Sequence, residues 1–159
     1  MLDRSEDHTP NATRDVEQPA AAAPPTLLVI DDDTVHRMII GRVAHRAGYE
    51  VAEAASYEEA VALLERHAYT LISLDLTLGR HGGAEVLHVI AAMDLKTPIV
   101  IVSSSTETIR RETAAMANLL SLNVCRTLPK PVDLAQLRAI LIDVRQRNAI
   151  GLTPAGWSA

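Results

Sequence analysis

Five short apolar runs punctuate the chain, and polar residues close most of them. Thr26-Leu27-Leu28-Val29-Ile30 runs into Asp31-Asp32-Asp33, Leu71-Ile72-Ser73-Leu74 into Asp75, and Pro98-Ile99-Val100-Ile101-Val102 into Ser103-Ser104-Ser105. Tyr49–Ala54 is a weaker run carrying Val51, and Asn123–Leu128 leads into Pro129-Lys130-Pro131. Runs this short and this apolar predict buried strands rather than helices. Between them the apolar spacing becomes helical. Val35, Met38, Ile39 and Val43 follow a cap at Asp33 or Thr34, and Gly48 suits the stop. Ser56-Tyr57-Glu58-Glu59 is a capping-box pattern opening a second helix, with Val61, Leu63 and Leu64 available to the core. Val86, Leu87, Ile90 and Met93 mark a third helix after Gly83. A fourth runs from Thr106 to roughly Leu120, with Ile109, Met116 and Leu120 inward. The last opens at Asp133 and carries Leu134, Leu137, Leu141 and Val144 on one face.

Strands and helices thus alternate as βα units without internal repetition. That order predicts an α/β protein with a parallel sheet, right-handed crossovers and helices on both faces. One change of winding direction makes it a three-layer sandwich. Residues 1–25 mix charges with Pro10, Pro19, Pro24, Pro25 and the alanine run Ala20 to Ala23, the composition of a disordered arm. The domain is expected over 26–147, with 148–159 as a C-terminal tail containing Trp157.

Composition narrows the function. The 159 residues suit one domain, 48% of them are apolar, and the net charge of −5 argues against nucleic acid as a partner. The single cysteine, Cys125, has no internal partner for a disulfide and reads as a small buried hydrophobe in a strand. No apolar run approaches the ~20 residues that span a bilayer, so no membrane role is expected. The N-terminus is acidic and lacks the apolar stretch of a signal peptide, which places the expected location in the cytoplasm.

The polar residues closing the strands carry the candidate chemistry. In a sheet ordered 2-1-3-4-5 the first and third strands are neighbours, and Asp31, Asp32 and Asp75 converge where the winding reverses. At ~4 Å and an effective dielectric near 20, each close carboxylate pair costs about 4 kcal/mol. Such a cluster calls for a cation. Few, hard oxygen ligands open to solvent favour Mg²⁺ that keeps several waters, with Mn²⁺ as a substitute. Lys130 adds a positive charge and Ser103 a hydroxyl. A nucleophilic carboxylate, a divalent metal, an ammonium and a hydroxyl together suit a phosphoryl group. Singly, each has a bland alternative: an Asp after a strand is often a helix cap, a Ser a strand end, a Lys between prolines a surface residue.

These motifs resemble the receiver domain of two-component response regulators. The matching pieces are Leu28-Val29-Ile30-Asp31-Asp32-Asp33, Asp75-Leu76-Thr77-Leu78 with Gly83, Pro98 to Ser103, and Leu128-Pro129-Lys130-Pro131. The resemblance implies a flavodoxin-like (βα)5 fold in which Asp75 accepts the phosphoryl group. Asp31, Asp32, Asp75 and the backbone carbonyl of Thr77 would hold Mg²⁺, Ser103 would be the switch hydroxyl, and Lys130 would contact the phosphoryl group. It further implies a bacterial, stand-alone signalling protein fed by a sensor histidine kinase or a histidine phosphotransfer protein. Such a protein acts through another protein, or as a relay step or phosphate sink. A weaker similarity links Gly79-Arg80-His81-Gly82-Gly83 and the Leu122 to Pro131 stretch to receivers that precede cyclic-di-GMP phosphodiesterase domains. No Glu-Ala-Leu motif follows, so neither nucleotide hydrolysis nor an output enzyme domain is expected.

Departures from the family pattern fall mainly on the signalling side. Gly79 stands where a proline is usual, and Val132 where a Phe commonly follows the Lys-Pro pair. Thr127 occupies the aromatic switch position, and the segment from Ser103 to Lys130 is longer than usual. Two rival readings remain. The first strand and Asp31-Asp32-Asp33-Thr34 also fit the opening motif of haloacid-dehalogenase-type phosphatases, with Asp31 as nucleophile and Asp33 as acid, but Asp75 then has no task. A pseudo-receiver would keep the fold without being phosphorylated. The histidines lack ligand spacing; His36, His45, His67 and His88 are expected on exposed helix positions and His81 in a loop.

Overall fold

Alternate residues of each central strand face opposite layers, and both layers are apolar. The computed structural model describes residues 22–152. Its strands are β1 (Thr26–Ile30), β2 (Glu50–Ala54), β3 (Leu71–Leu74), β4 (Ile99–Ser103) and β5 (Val124–Pro129). The helices that alternate with them are α1 (Thr34–Arg46), α2 (Tyr57–Arg66), α3 (Gly83–Ala92), α4 (Glu107–Leu119) and α5 (Leu134–Ala149). All strand pairs are parallel, in the order β2-β1-β3-β4-β5. On one face Leu27, Val29, Leu71, Val100 and Val102 pack with Ile40 and Ala44 of α1 and Leu137, Leu141 and Val144 of α5. On the other, Leu28, Ile30, Ile72, Leu74, Ile99 and Ile101 pack with residues of α2, α3 and α4. Burial on both faces is why these strands read as near-continuous hydrophobic runs. The three-layer (βα)5 sandwich is the one the alternation predicts.

Local chemistry sets the boundaries. Asp33 Oδ1 caps α1 by accepting from the Val35 and His36 amides, at 2.8 and 3.0 Å. Gly48 ends the turn with φ +89°, a conformation that costs glycine nothing. The capping box of α2 is offset: Ser56 Oγ accepts from Glu59 N at 3.1 Å, but Glu59 reaches back to Ala55 N at 2.7 Å. Tyr49 lies just before β2, buried, and its hydroxyl donates to the Leu141 carbonyl at 2.8 Å, pinning α5 to the sheet edge. Helix α5 continues through Ala149, two residues past the expected boundary.

Several expected core positions face outward. Val35 and Met38 are exposed, and Ile40 and Ala44 take their place under α1. Ile109 is also exposed; Met116, Ala117 and Leu120 hold α4 down. Leu134, in the first turn of α5, is exposed while Ile140 is buried. In α2 the buried pair is Ala60 and Leu64, with Leu63 partly covered and Val61 half-buried. Val35, Ile109 and Leu134 lie in the first turns of their helices, while small residues such as Ala44, Ala60 and Ala117 are fully covered farther along. His67 ends α2 rather than lying in it, and His36 is half-buried. Trp157 falls outside the described residues.

Candidate functional site

The C-terminal ends of β1, β3, β4 and β5 share one rim, because parallel strands end together. Residues that follow or close those strands meet there. Asp31 is 1% exposed and Asp75 4%, while Asp32 stands open to solvent. One ligand oxygen from each lies within 4.8 Å of the others. Lys130 arrives from the end of β5, and its Nζ donates to Asp31 Oδ2 at 2.7 Å and Asp75 Oδ2 at 2.8 Å. Burial alone pushes this ammonium down, but the hydrogen bonds and charges of Asp31 and Asp75 outweigh it and hold its pKa above the ordinary lysine value. Lys130 therefore offsets much of the carboxylate repulsion that the bare sequence suggests. Asp32, outside that pairing, is left as an open oxygen donor.

Backbone amides take the other oxygen of each buried carboxylate. Asp31 Oδ1 accepts from Asp33 N at 2.8 Å and Asp75 Oδ1 from Thr77 N at 3.0 Å. Asp32 Oδ2 accepts from Gly79 N at 3.3 Å, which ties the β1–α1 turn to the β3–α3 loop. Gly83 is required by proximity: a Cβ there would lie 2.3 Å from the Asp75 carbonyl oxygen and 2.7 Å from Leu76 Cα. Its amide donates to the Leu76 carbonyl at 2.8 Å. The set of hard oxygens, partly open to water, fits a divalent cation such as Mg²⁺ better than a soft metal.

Ser103 closes β4 fully buried, and its carbonyl accepts from Lys130 N at 3.0 Å. Its hydroxyl pairs with the Ser105 hydroxyl at 2.7 Å and accepts from Ser105 N at 3.1 Å. The Asp33 carboxyl, in contrast, is spent on capping; the His36 amide and then the Val35 amide hold it below its ordinary pKa. Cys125 is buried, and that burial pushes its thiol up to about 11, in keeping with a small core hydrophobe.

Two neighbours of the site escaped the sequence reading. Arg37 Nη1 donates to the Asp31 carbonyl at 2.6 Å and Nη2 to Thr34 Oγ1 at 3.2 Å, while Nε pairs with Glu53 at 3.4 Å. This brace joins α1, β1 and β2 around the acidic turn. His36 places Nδ1 3.8 Å from Asp31 Oδ2. Arg37 sits in the first turn of α1 beside a histidine, with no local motif to announce either contact; only the three-dimensional reach of the side chains does.

Solved structures share this architecture. The N-terminal domain of an uncharacterised Wolinella succinogenes protein superposes with a TM-score of 0.69 at 26% identity, over 81% of this chain and 99% of that one. Chemotaxis protein CheY4 of Vibrio cholerae gives 0.65 at 25%, over 77% and 99%. A Burkholderia pseudomallei response regulator, described with a phosphorylated aspartic acid, a calcium ion and citrate, gives 0.63 at 23%, over 85% and 77%. Residues 27–142 match the family model of the response regulator receiver domain, so the chain belongs to that family.

Proposed function

We propose that this receiver accepts a phosphoryl group on Asp75 from a phosphohistidine of a sensor histidine kinase or a histidine phosphotransfer protein. A carboxylate oxygen of Asp75 forms the new bond to phosphorus, the phosphorus–nitrogen bond breaks, and the imidazole leaves and takes up a proton. The single observation carrying this reading is the buried Asp75 carboxylate at the end of β3, with Lys130 Nζ at 2.8 Å and Asp31 and Asp32 beside it. Lys130 donates to the transferred group, and Ser103 supplies a second, hydroxyl donor once it turns from Ser105. Asp31, Asp32, Asp75 and the Thr77 carbonyl would hold Mg²⁺, or Mn²⁺ in its place. When bound, the ion neutralises charge on the phosphoryl oxygens. The phosphorylated aspartate and calcium ion described for the Burkholderia protein support the same reading here.

The phosphorylated protein then acts by binding another protein, or by passing the group on as a relay step or sink. The dehalogenase-type alternative loses its acid, since Asp33 is committed to the α1 cap. Incubation with acetyl phosphate and Mg²⁺ should add one phosphoryl group, detectable by intact mass. Asp75→Asn should abolish it. Equal incorporation in that variant overturns the assignment.

A further inference from the structure

The corner between β4, α4 and β5 has an open groove where the receiver pattern places a ring. Thr127, half-buried on β5 and in register with Ile101, is too small to fill it, and the chain has no Phe. The groove holds about 290 Å³ and is lined by Glu107, Arg110, Arg111, Ala114, Thr127 and Pro129. Its two arginines behave differently. Arg111 pairs with Glu107 one turn back, on the solvent side. Arg110 is partly buried, and its Nη1 donates to the Ser105 carbonyl.

Ser105 is the residue that holds Ser103. Its hydroxyl and its amide both engage Ser103 Oγ, at 2.7 and 3.1 Å. Ser103 in turn takes the Lys130 amide on its carbonyl at 3.0 Å. A continuous series of hydrogen bonds thus runs from Lys130 through Ser103 and Ser105 to a guanidinium anchored in α4. If Ser103 donates to a phosphoryl group on Asp75, its hydroxyl proton turns there and its pairing with Ser105 changes. The loop then rearranges at the point Arg110 grips. A guanidinium suits this role because its planar fork keeps direction, where a Lys ammonium on a flexible stem does not.

We propose that Arg110 is the positioning residue that couples the Ser103–Ser105 loop to α4, doing in this chain what Thr127 cannot. The proposal rests on the reading that Asp75 is phosphorylated. Arg110 makes no hydrogen bond or ion pair to Asp75 or the acidic cluster, and its hydrogen bond toward the site is to Ser105.

The test uses the full chain and two readouts on the same samples: phosphoryl incorporation by intact mass, and amide chemical shifts over α4 before and after acetyl phosphate with Mg²⁺. Arg110→Ala and Arg110→Gln should incorporate phosphate as the wild type does, yet lose most of the α4 shift changes. Arg110→Lys should recover only part of them. Glu107→Ala, which frees Arg111 but leaves Arg110 in place, should respond like the wild type. Full α4 responses in both Arg110→Ala and Arg110→Gln overturn the coupling role while leaving the phosphoacceptor assignment standing. A wild-type chain that takes up no phosphate overturns both.

Discussion

The two ends of the strand rim are built on different terms. At the β1–β3 end, every oxygen of Asp31 and Asp75 has a partner: an amide on one side of each carboxylate and Lys130 on the other. Arg37 braces the turn from behind and Gly83 lets the next loop lie against Asp75. At the β4–β5 end the connections are few and in series: Lys130 to Ser103, Ser103 to Ser105, Ser105 to Arg110, beside an open groove. A branched network holds its shape when one contact goes. A series transmits displacement, and is cut by losing any member. One end is suited to holding a charged group in place and the other to reporting that it has arrived.

The comparison breaks most severely at Lys130, whose ammonium serves the acidic end while its backbone amide, which Lys130→Ala keeps, serves the other. Lys130→Ala leaves Asp31 and Asp75 facing each other, buried and without their shared cation. Removing one partner of a buried ion pair costs about 3–5 kcal/mol. Chemical denaturation in the presence of a chelator should register a loss of that size, and saturating Mg²⁺ should return part of it by replacing the missing charge. A loss below about 1 kcal/mol without metal would mean that the pairing is screened by water and that the acidic end is less tightly determined than its hydrogen bonds imply.

A second substitution tests whether the acidic end depends on close backbone packing. At Gly83 an added methyl meets backbone atoms of Asp75 and Leu76 at 2.3 and 2.7 Å, so the β3–α3 loop must shift. Overpacking of this kind costs typically 1–3 kcal/mol, and the better helix propensity of Ala returns under about 1 kcal/mol. Gly83→Ala should therefore lose about 1–2 kcal/mol and slow acetyl phosphate incorporation. Gly82→Ala is the control: its nearest neighbour would be 3.8 Å away, and no change is expected in either measurement. Equal behaviour of the two variants would sink the packing argument.

The same contrast explains what could be read in the sequence. The central strands β1, β3 and β4 were legible because burial on both faces leaves an unbroken apolar signature, and the acidic end because Asp31, Asp32 and Asp75 follow two of them directly. Lys130 was legible because it follows the fifth apolar run, where the polar residues of the rim collect. The helices were less so. Ile109 and Leu134 satisfy helical spacing yet face solvent, because spacing gives a stripe but not which stripe meets the sheet. Ala117 and Ala44, too small to draw notice, mark the true contact lines. Arg37 and Arg110 were invisible because their contacts depend on side-chain reach across a turn or loop, which no local pattern records. The absence of an aromatic at Thr127 was plain; that an arginine on the neighbouring helix α4 lines the same corner was not.

The smallest expected effect is also the sharpest discriminator at the β4–β5 end. Thr127 lines the groove but is absent from the hydrogen-bond series linking Ser103 to α4. Its contribution is that of a β-branched residue on a half-buried strand, so Thr127→Ala should cost at most about 1 kcal/mol of stability. Phosphoryl incorporation and the α4 shift changes should both stay at wild-type levels. Ser103→Ala removes the first side-chain member of the series instead: Asp75 and Lys130 remain, so the group should still be accepted, but the hydroxyl that would turn toward it is gone. The α4 response should then fall while incorporation persists. The two variants, measured by the same pair of readouts, separate a switch that runs along hydrogen bonds from one that runs through the filling of space at residue 127. If Thr127→Ala silences α4 as completely as Ser103→Ala does, the signal passes through the groove wall, and the serial route through Ser105 is not the one the molecule uses.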